Sequence, residues 1–230
     1  MHIALTAVAK GRRDVALPST TVAFTSGRAT LAVAETEQRP TVLGLIASGR
    51  MRADRGTVTI DRAEDPRALR RRVALVDAPD VSDPAPNVAL AGVVGEELMF
   101  AGRLADPLTA RRWLDEQGMR PLARTPIADV APAQRLRVLL ELAVLRPGVE
   151  GVVLVSPDRH GGDPHEWWAL AEEFAGRGFA VLVIAGSAAA TALAATPPVS
   201  ARTTRRLRAS GVRVRGLRHP VLRAAEEASR

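Results

Sequence analysis

Apolar residues follow two different rhythms along the chain. Near the N-terminus they alternate with polar residues or gather in short β-branched runs, the spacing of half-buried strands. Ile3–Val8 alternates and predicts an edge strand, and Thr21–Phe24 and Thr30–Val33 predict two short ones. Gly56–Ile60 (GTVTI) is opened by a glycine turn and predicts another, as does Arg72–Val76. Between them, Thr41–Arg52 carries helical spacing. The proline-rich stretch Asp80–Asn87 (DVSDPAPN) then marks a boundary. Beyond it the spacing turns helical over Val88–Arg103, Pro107–Gln117 and Pro132–Leu145. Pro107 and Pro132 fall at first-turn positions, where a missing N–H costs nothing, and Gly118 suits a helix stop. Gly151–Val155 (GVVLV) and Phe179–Ala185 are unbroken apolar runs, the mark of strands covered on both faces. The helix-patterned stretch Asp163–Arg177 joins them into a parallel βαβ unit. Ala188–Ala195 predicts a helix ended by Thr196-Pro-Pro198, and Val212–Arg215 is β-like.

Several fragments stand in a meaningful order along this frame. Gly27–Val33 (GRATLAV) is a strand leading into a loop, Val33–Thr41 (VAETEQRPT), followed by a helix. Ala53–Asp61 reads ADRGTVTID, and Arg70–Val76 reads RRRVALV. Pro126–Leu140 reads PIADVAPAQRLRVLL, Val152–Pro157 reads VVLVSP, and Gly161–Pro164 reads GGDP. In order and spacing these resemble the Walker A strand, the "P-x-S-G-x-V-x-I-x-G" turn, the strand into the Q-loop, the signature loop and helix, Walker B and the D-loop of ATP-binding cassette (ABC) nucleotide-binding domains. The resemblance spans roughly Ile3 to Ser187. It implies an α/β fold, with a P-loop NTPase-like (RecA-like) core over residues 1–80 and 149–200. An ABC-type helical subdomain over 81–148 and an arginine-rich tail over 201–230 complete the expected layout.

The frame is kept while its chemistry is missing. Phosphate loops need glycines, so that backbone N–H groups wrap the anion, and a lysine for the outer phosphates. Here the loop has no glycine, and the vestigial positions are Arg39, Pro40 and Thr41. Pro40 deletes an N–H that would point at phosphate. Glu35 and Glu37 would repel it, by roughly 4 kcal/mol for unit charges 4 Å apart near a surface. Val155 and Ser156 replace the Walker B acids that hold Mg²⁺ and act on water. The signature reads Ala131, Pro132, Ala133, with only Gln134 kept, and Gly186 stands at the switch histidine. The Q-loop glutamine is absent from Asp77–Asp80, and the adenine-stacking aromatic from Lys10–Asp14. The resemblance thus implies a pseudo-ATPase with no catalytic residue and no bound cofactor, retaining at most weak ATP binding. It implies a membrane permease or a second ABC subunit as partner, and a cytoplasmic chain held at the inner face of the membrane. Because both halves of the composite site are altered, pairing with an active subunit would impair both sites.

Composition narrows this picture. The chain has 230 residues, 47% of them hydrophobic, with no cysteine and no tyrosine. Its net charge of +7 is matched by residues 201–230 alone, where nine arginines face two glutamates. That tail reads as a solvated surface or as a contact for anionic membrane headgroups. With aromatics at 3%, base stacking is disfavoured, and nucleic-acid binding would rest on the arginines alone. A divergent active ATPase would have to use Arg39, Thr41 and Asp158, the last lying three residues past the lost Walker aspartate. His160 and His165 flank Gly161-Gly-Asp163 but lack metal-ligand spacing, and they read as a solvated turn. Of Trp167 and Trp168, one ring is expected in the core and the other near the surface.

Overall fold

Strand burial sorts the central side chains onto two opposite faces. In this computed structural model, which describes residues 1–35 and 39–195, the elements follow in chain order. They are β1 (His2–Lys10), β2 (Leu17–Thr25), β3 (Ala29–Val33), α1 (Arg39–Ala47), β4 (Arg55–Ile60), α2 (Pro66–Arg72) and β5 (Val73–Val76). Then come α3 (Leu90–Phe100), α4 (Pro107–Glu116), α5 (Pro132–Ala143), β6 (Gly151–Val155), α6 (Pro164–Gly176), β7 (Ala180–Ala185) and α7 (Ser187–Ala195). Short 3₁₀ turns punctuate them, among them Pro157–His160 after β6.

A four-stranded parallel sheet runs in the order β3-β7-β6-β5. Ala74, Val76, Val152, Leu154, Val181 and Val183 point to one side, where they join Trp167 and Phe174 of α6. Val94, Leu114 and Leu136 of α3, α4 and α5 extend that same core. The alternate residues Val73, Leu75, Val153, Val155, Leu182 and Ile184 face Leu43 and Ile46 of α1 and Ile3, Leu5 and Phe24 of the N-terminal strands. Covering both faces explains the unbroken apolar sequence of β6 and β7.

The N-terminal strands form a three-stranded antiparallel sheet in the order β2-β1-β4. β1 is therefore central and not the edge strand that its alternation suggests. Ile3 pairs with Phe24 on one side and Ile60 on the other. Alternation reports that one face is buried; it carries no information on how many neighbours satisfy the backbone. A bulge at Ala7 (φ 48°) interrupts β1, and Gly56 crosses it with φ +78°. A Cβ on Gly56 would stand 2.4 Å from the Ala7 carbonyl oxygen, so the close approach at the bulge requires glycine; the residue lies inside β4 and not in the turn that the sequence suggests ahead of it.

The helix starts have local causes. Asp106 accepts from the N–H groups of Leu108 and Thr109, and Asp163 from that of His165, each followed directly by proline. Asp65 and Pro66 open α2 in the same way. That pair was the available signal for a helix that periodicity over seven residues does not reveal. Gly118 takes φ +69° just past α4, as a helix stop requires. Trp167 is buried, and Trp168 is half-buried with Nε1 donating to Glu172 at 3.0 Å. The basic tail, its β-like piece and Glu37 lie outside the described residues.

Candidate functional site

Ligands of open parallel sheets sit beyond the carboxyl ends of the strands. That edge is formed here by Val33, Ala185, Val155 and Val76 and the residues that follow each. The sequence-derived site positions do converge there, yet they are joined to one another by packing and by the chain's own hydrogen bonds.

Arg39 opens α1, Pro40 is buried and Thr41 half-buried. One turn on, Gly44 presses α1 onto the sheet: an added Cβ would lie 2.7 Å from Val155 Cγ2 and 3.1 Å from Leu75 Cδ1. Val155 is fully buried beneath this helix. A carboxylate at that position would enter an apolar contact, and the valine offers no oxygen to a hard cation. Ser156 follows in a left-handed conformation (φ 48°, ψ 53°), its N–H donating to the Ile184 carbonyl at 2.7 Å.

The switch side is closed by two carboxylates. Asp158 Oδ2 accepts from the Gly186 N–H at 3.0 Å, so one oxygen of the carboxylate that a divergent active ATPase would have to use is engaged at the start of α7. Glu35 accepts from the Ser187 N–H at 3.1 Å and from the Ser187 hydroxyl. The hydroxyl first, and then the backbone N–H, hold the Glu35 carboxyl below its usual pKa. Two carboxylates of the chain thus cap the Gly186 and Ser187 N–H groups at the positive end of α7.

The signature segment contacts the turn after β6 in the same chain. Ala131 and Gln134 are exposed, Pro132 and Ala133 half-buried, and Ala131 caps α5 without a side-chain hydrogen bond. A Cβ on Gly162 would rest 3.4 Å from Pro132 Cβ, so the D-loop-like turn lies against this segment.

The most strongly built polar cluster was not anticipated from the sequence. Asp77, directly after β5 at φ 57°, has a fully buried side chain. Its carboxylate pairs with Arg135 of α5, whose side chain is 5% exposed, and with Arg159 Nη2 at 3.1 Å. Arg159 also donates to the Asp77 carbonyl and lies 3.4 Å from Asp83. His160 Nε2 stands 2.9 Å from Asp77 Oδ2. A carboxylate only accepts, so Nε2 carries the hydrogen. His160 is therefore an anchored residue and not part of a solvated turn. His165 pairs instead with Asp163, at 2.8 Å. One signal was legible: Arg135 lies on the helical stripe of Val138, Leu139 and Leu142, a charge on an apolar face.

No protein-family model matches the sequence, and no curated protein does. The likeness is to solved structures. An ATP-binding subunit of an ABC transporter superposes with a TM-score of 0.55 at 18% identity, covering 83% of this chain and 82% of that one. MJ1267, an ATP-binding cassette of an ABC transporter, gives 0.56 in its ADP conformation at 16% identity, covering 81% and 82%. CbiO1 from Clostridium perfringens, part of the ABC transporter complex CbiONQ, gives 0.56 at 17% identity, covering 80% and 77%. The chain has the fold of ABC transporter ATP-binding subunits, a P-loop NTPase-like α/β fold. At these identities the likeness carries the fold alone.

Proposed function

We propose that the chain is a non-hydrolysing, ABC-type companion of a membrane permease, with a regulatory or scaffolding role. The observation that carries this reading is the filled strand edge. Val155 packs under α1 where a Walker B acid would stand, and Glu35 and Asp158 take the N–H groups at the start of α7. Hydrolysis needs a held metal, a polarised water and free donors around the phosphates. The residues at these positions supply packing and internal capping instead, so ATP binding is at most weak and no cofactor is required.

The permease part rests on the fold likeness and on an exposed apolar group. Met99, Phe100, Leu104 and Leu108 at the end of α3 and the start of α4 are all more than half exposed. Such a group suits contact with an apolar partner surface. In this reading residues 1–80 and 149–200 form the core, 81–148 the helical subdomain that meets the permease, and 201–230 a basic tail. The chain then sits at the inner membrane face. No helix among the described residues is long and apolar enough to cross a membrane, so the permease would provide the span.

Co-purification from native membranes tests the partner, with Met99 and Phe100 changed to serine as the surface control. Recovery of a permease, lost in that variant, is the expected result. Calorimetry with Mg-ATP tests the site. Binding weaker than about 1 mM is expected, near 4 kcal/mol of free energy. A low-micromolar affinity, or phosphate release abolished by Thr41→Ala/Asp158→Ala, would overturn the non-hydrolysing reading in favour of a divergent active ATPase.

A further inference from the structure

A second concave surface lies away from the strand edge, between the segment after α1, β4 and α2. It encloses about 620 Å³, within the range of small-molecule sites. Met51 and Val58 give it an apolar patch, and Arg50, Arg52 and Arg70 a cationic rim. Arg50 Nη1 donates to the carbonyls of Ser48 (3.1 Å) and Val73 (3.0 Å), and Arg70 Nη1 to that of Gly49 (3.3 Å). These neutral acceptors orient the guanidinium groups without cancelling their charge. Among the described residues none of the three pairs with a carboxylate, whereas Arg72, at the end of α2, pairs with Asp61 and Glu150. Asp54 also lines the cavity, but Lys10 holds it at 2.6 Å. That leaves three guanidinium groups against Glu64 alone. Partial burial of the Arg50 head, and then the like charges of Arg146 and Arg70, press its pKa below the ordinary arginine value. The protein thus lines a hollow of mixed polar and apolar character with an excess of positive charge.

We propose that this cavity binds a small phosphate monoester with an apolar body. Three guanidinium-bearing residues lining one hollow match a dianion that accepts several charge-assisted hydrogen bonds. Met51 and Val58 offer the contact for the apolar part. This site is separate from the strand edge and shares no residue with the exposed group Met99, Phe100, Leu104 and Leu108, so it stands or falls independently of the companion role.

Phenyl phosphate is the probe, followed by ¹⁵N–¹H correlation spectra of the full-length chain, with inorganic phosphate and phenol as partial ligands. The expected result is saturable shifts at the amides of Gly49, Gly56 and Val58. Phenol should bind about ten-fold or more weakly, as should phenyl phosphate to Arg50→Gln/Arg70→Gln. Arg52→Gln removes a guanidinium without touching the backbone bonds of Arg50, so it reports on binding even if the double variant folds poorly; it too should weaken binding. The exposed Arg124→Gln should leave binding unchanged. Shifts confined to residues 201–230, or pocket shifts equally strong in the Arg52→Gln and wild-type chains, would overturn the proposal. So would perturbation of the pocket amides by phosphatidylglycerol vesicles but not by phenyl phosphate, which would assign the charge to a lipid headgroup.

Discussion

Asp77→Asn removes one charge and almost no volume, and it tests whether the buried cluster is a true ionic tie. The Asp77 side chain is fully buried, and that of its partner Arg135 is 5% exposed. Neutralising Asp77 leaves a guanidinium inside the protein with no anion beside it, and Arg135 Nε already lacks a hydrogen-bond partner. Breaking a buried pair from one side costs about 3–5 kcal/mol, because the remaining charge stays desolvated. For a domain of this size each kcal/mol moves Tm by about 2–4 °C, so a fall of about 6–20 °C is expected. Urea unfolding followed by circular dichroism should show the midpoint shift at an unchanged m-value. Arg135→Met alone should also destabilise, since it leaves the carboxylate with only Arg159 and His160. The double variant Asp77→Asn/Arg135→Met should lose at least about 1.5 kcal/mol less than the sum of the single losses. An Asp77→Asn protein within about 1 kcal/mol of wild type, with additive single variants, would refute the buried tie between β5 and α5.

Three further outcomes follow from the same geometry. Gly44→Ala should destabilise the native chain, because the new methyl meets Val155 Cγ2 at 2.7 Å; in a Val155→Ala background the same change should turn neutral or stabilising, by up to about 1 kcal/mol of helix propensity. The same sign in both backgrounds, read by thermal unfolding, would contradict the close packing of α1 on β6. The Glu150 carboxyl is held below its usual pKa by Arg72, and that of Asp61 by the His2 N–H and then by Arg72. Depressed carboxylates contribute stability that is complete above their unfolded pKa values and is lost as pH falls through the folded ones. Arg72→Met should therefore flatten the loss of stability below about pH 4.5, and an unchanged slope in acid titrations would count against these pairs. Finally, the intact chain should give no DNA or RNA shift in gels; a salt-sensitive shift abolished by deleting residues 201–230 would assign the tail to nucleic acid.

Much of the fold was legible in the sequence because it depends on local rules. Gly151–Val155 could be bounded as a strand from an apolar run alone, since both of its faces are covered. Pro107, Pro132 and Gly118 mark helix boundaries through the backbone chemistry of proline and glycine, wherever the helix packs. Residue chemistry was equally readable: a valine at 155 offers no oxygen and a proline at 40 no backbone N–H, in any tertiary setting. The tertiary structure decided which distant residues meet. Asp77 meets Arg135 across 58 residues of sequence and His160 across 83, and Glu35 reaches Ser187 across 152. Periodicity shows that Arg135 lies on a buried stripe, and it is silent on which carboxylate neutralises it. Likewise β1 displays a buried face in its sequence and acquires its central place only when β2 and β4 pair along both sides. Burial and backbone geometry are written residue by residue, whereas the partner of a charge or of a strand is fixed only when distant segments pack together.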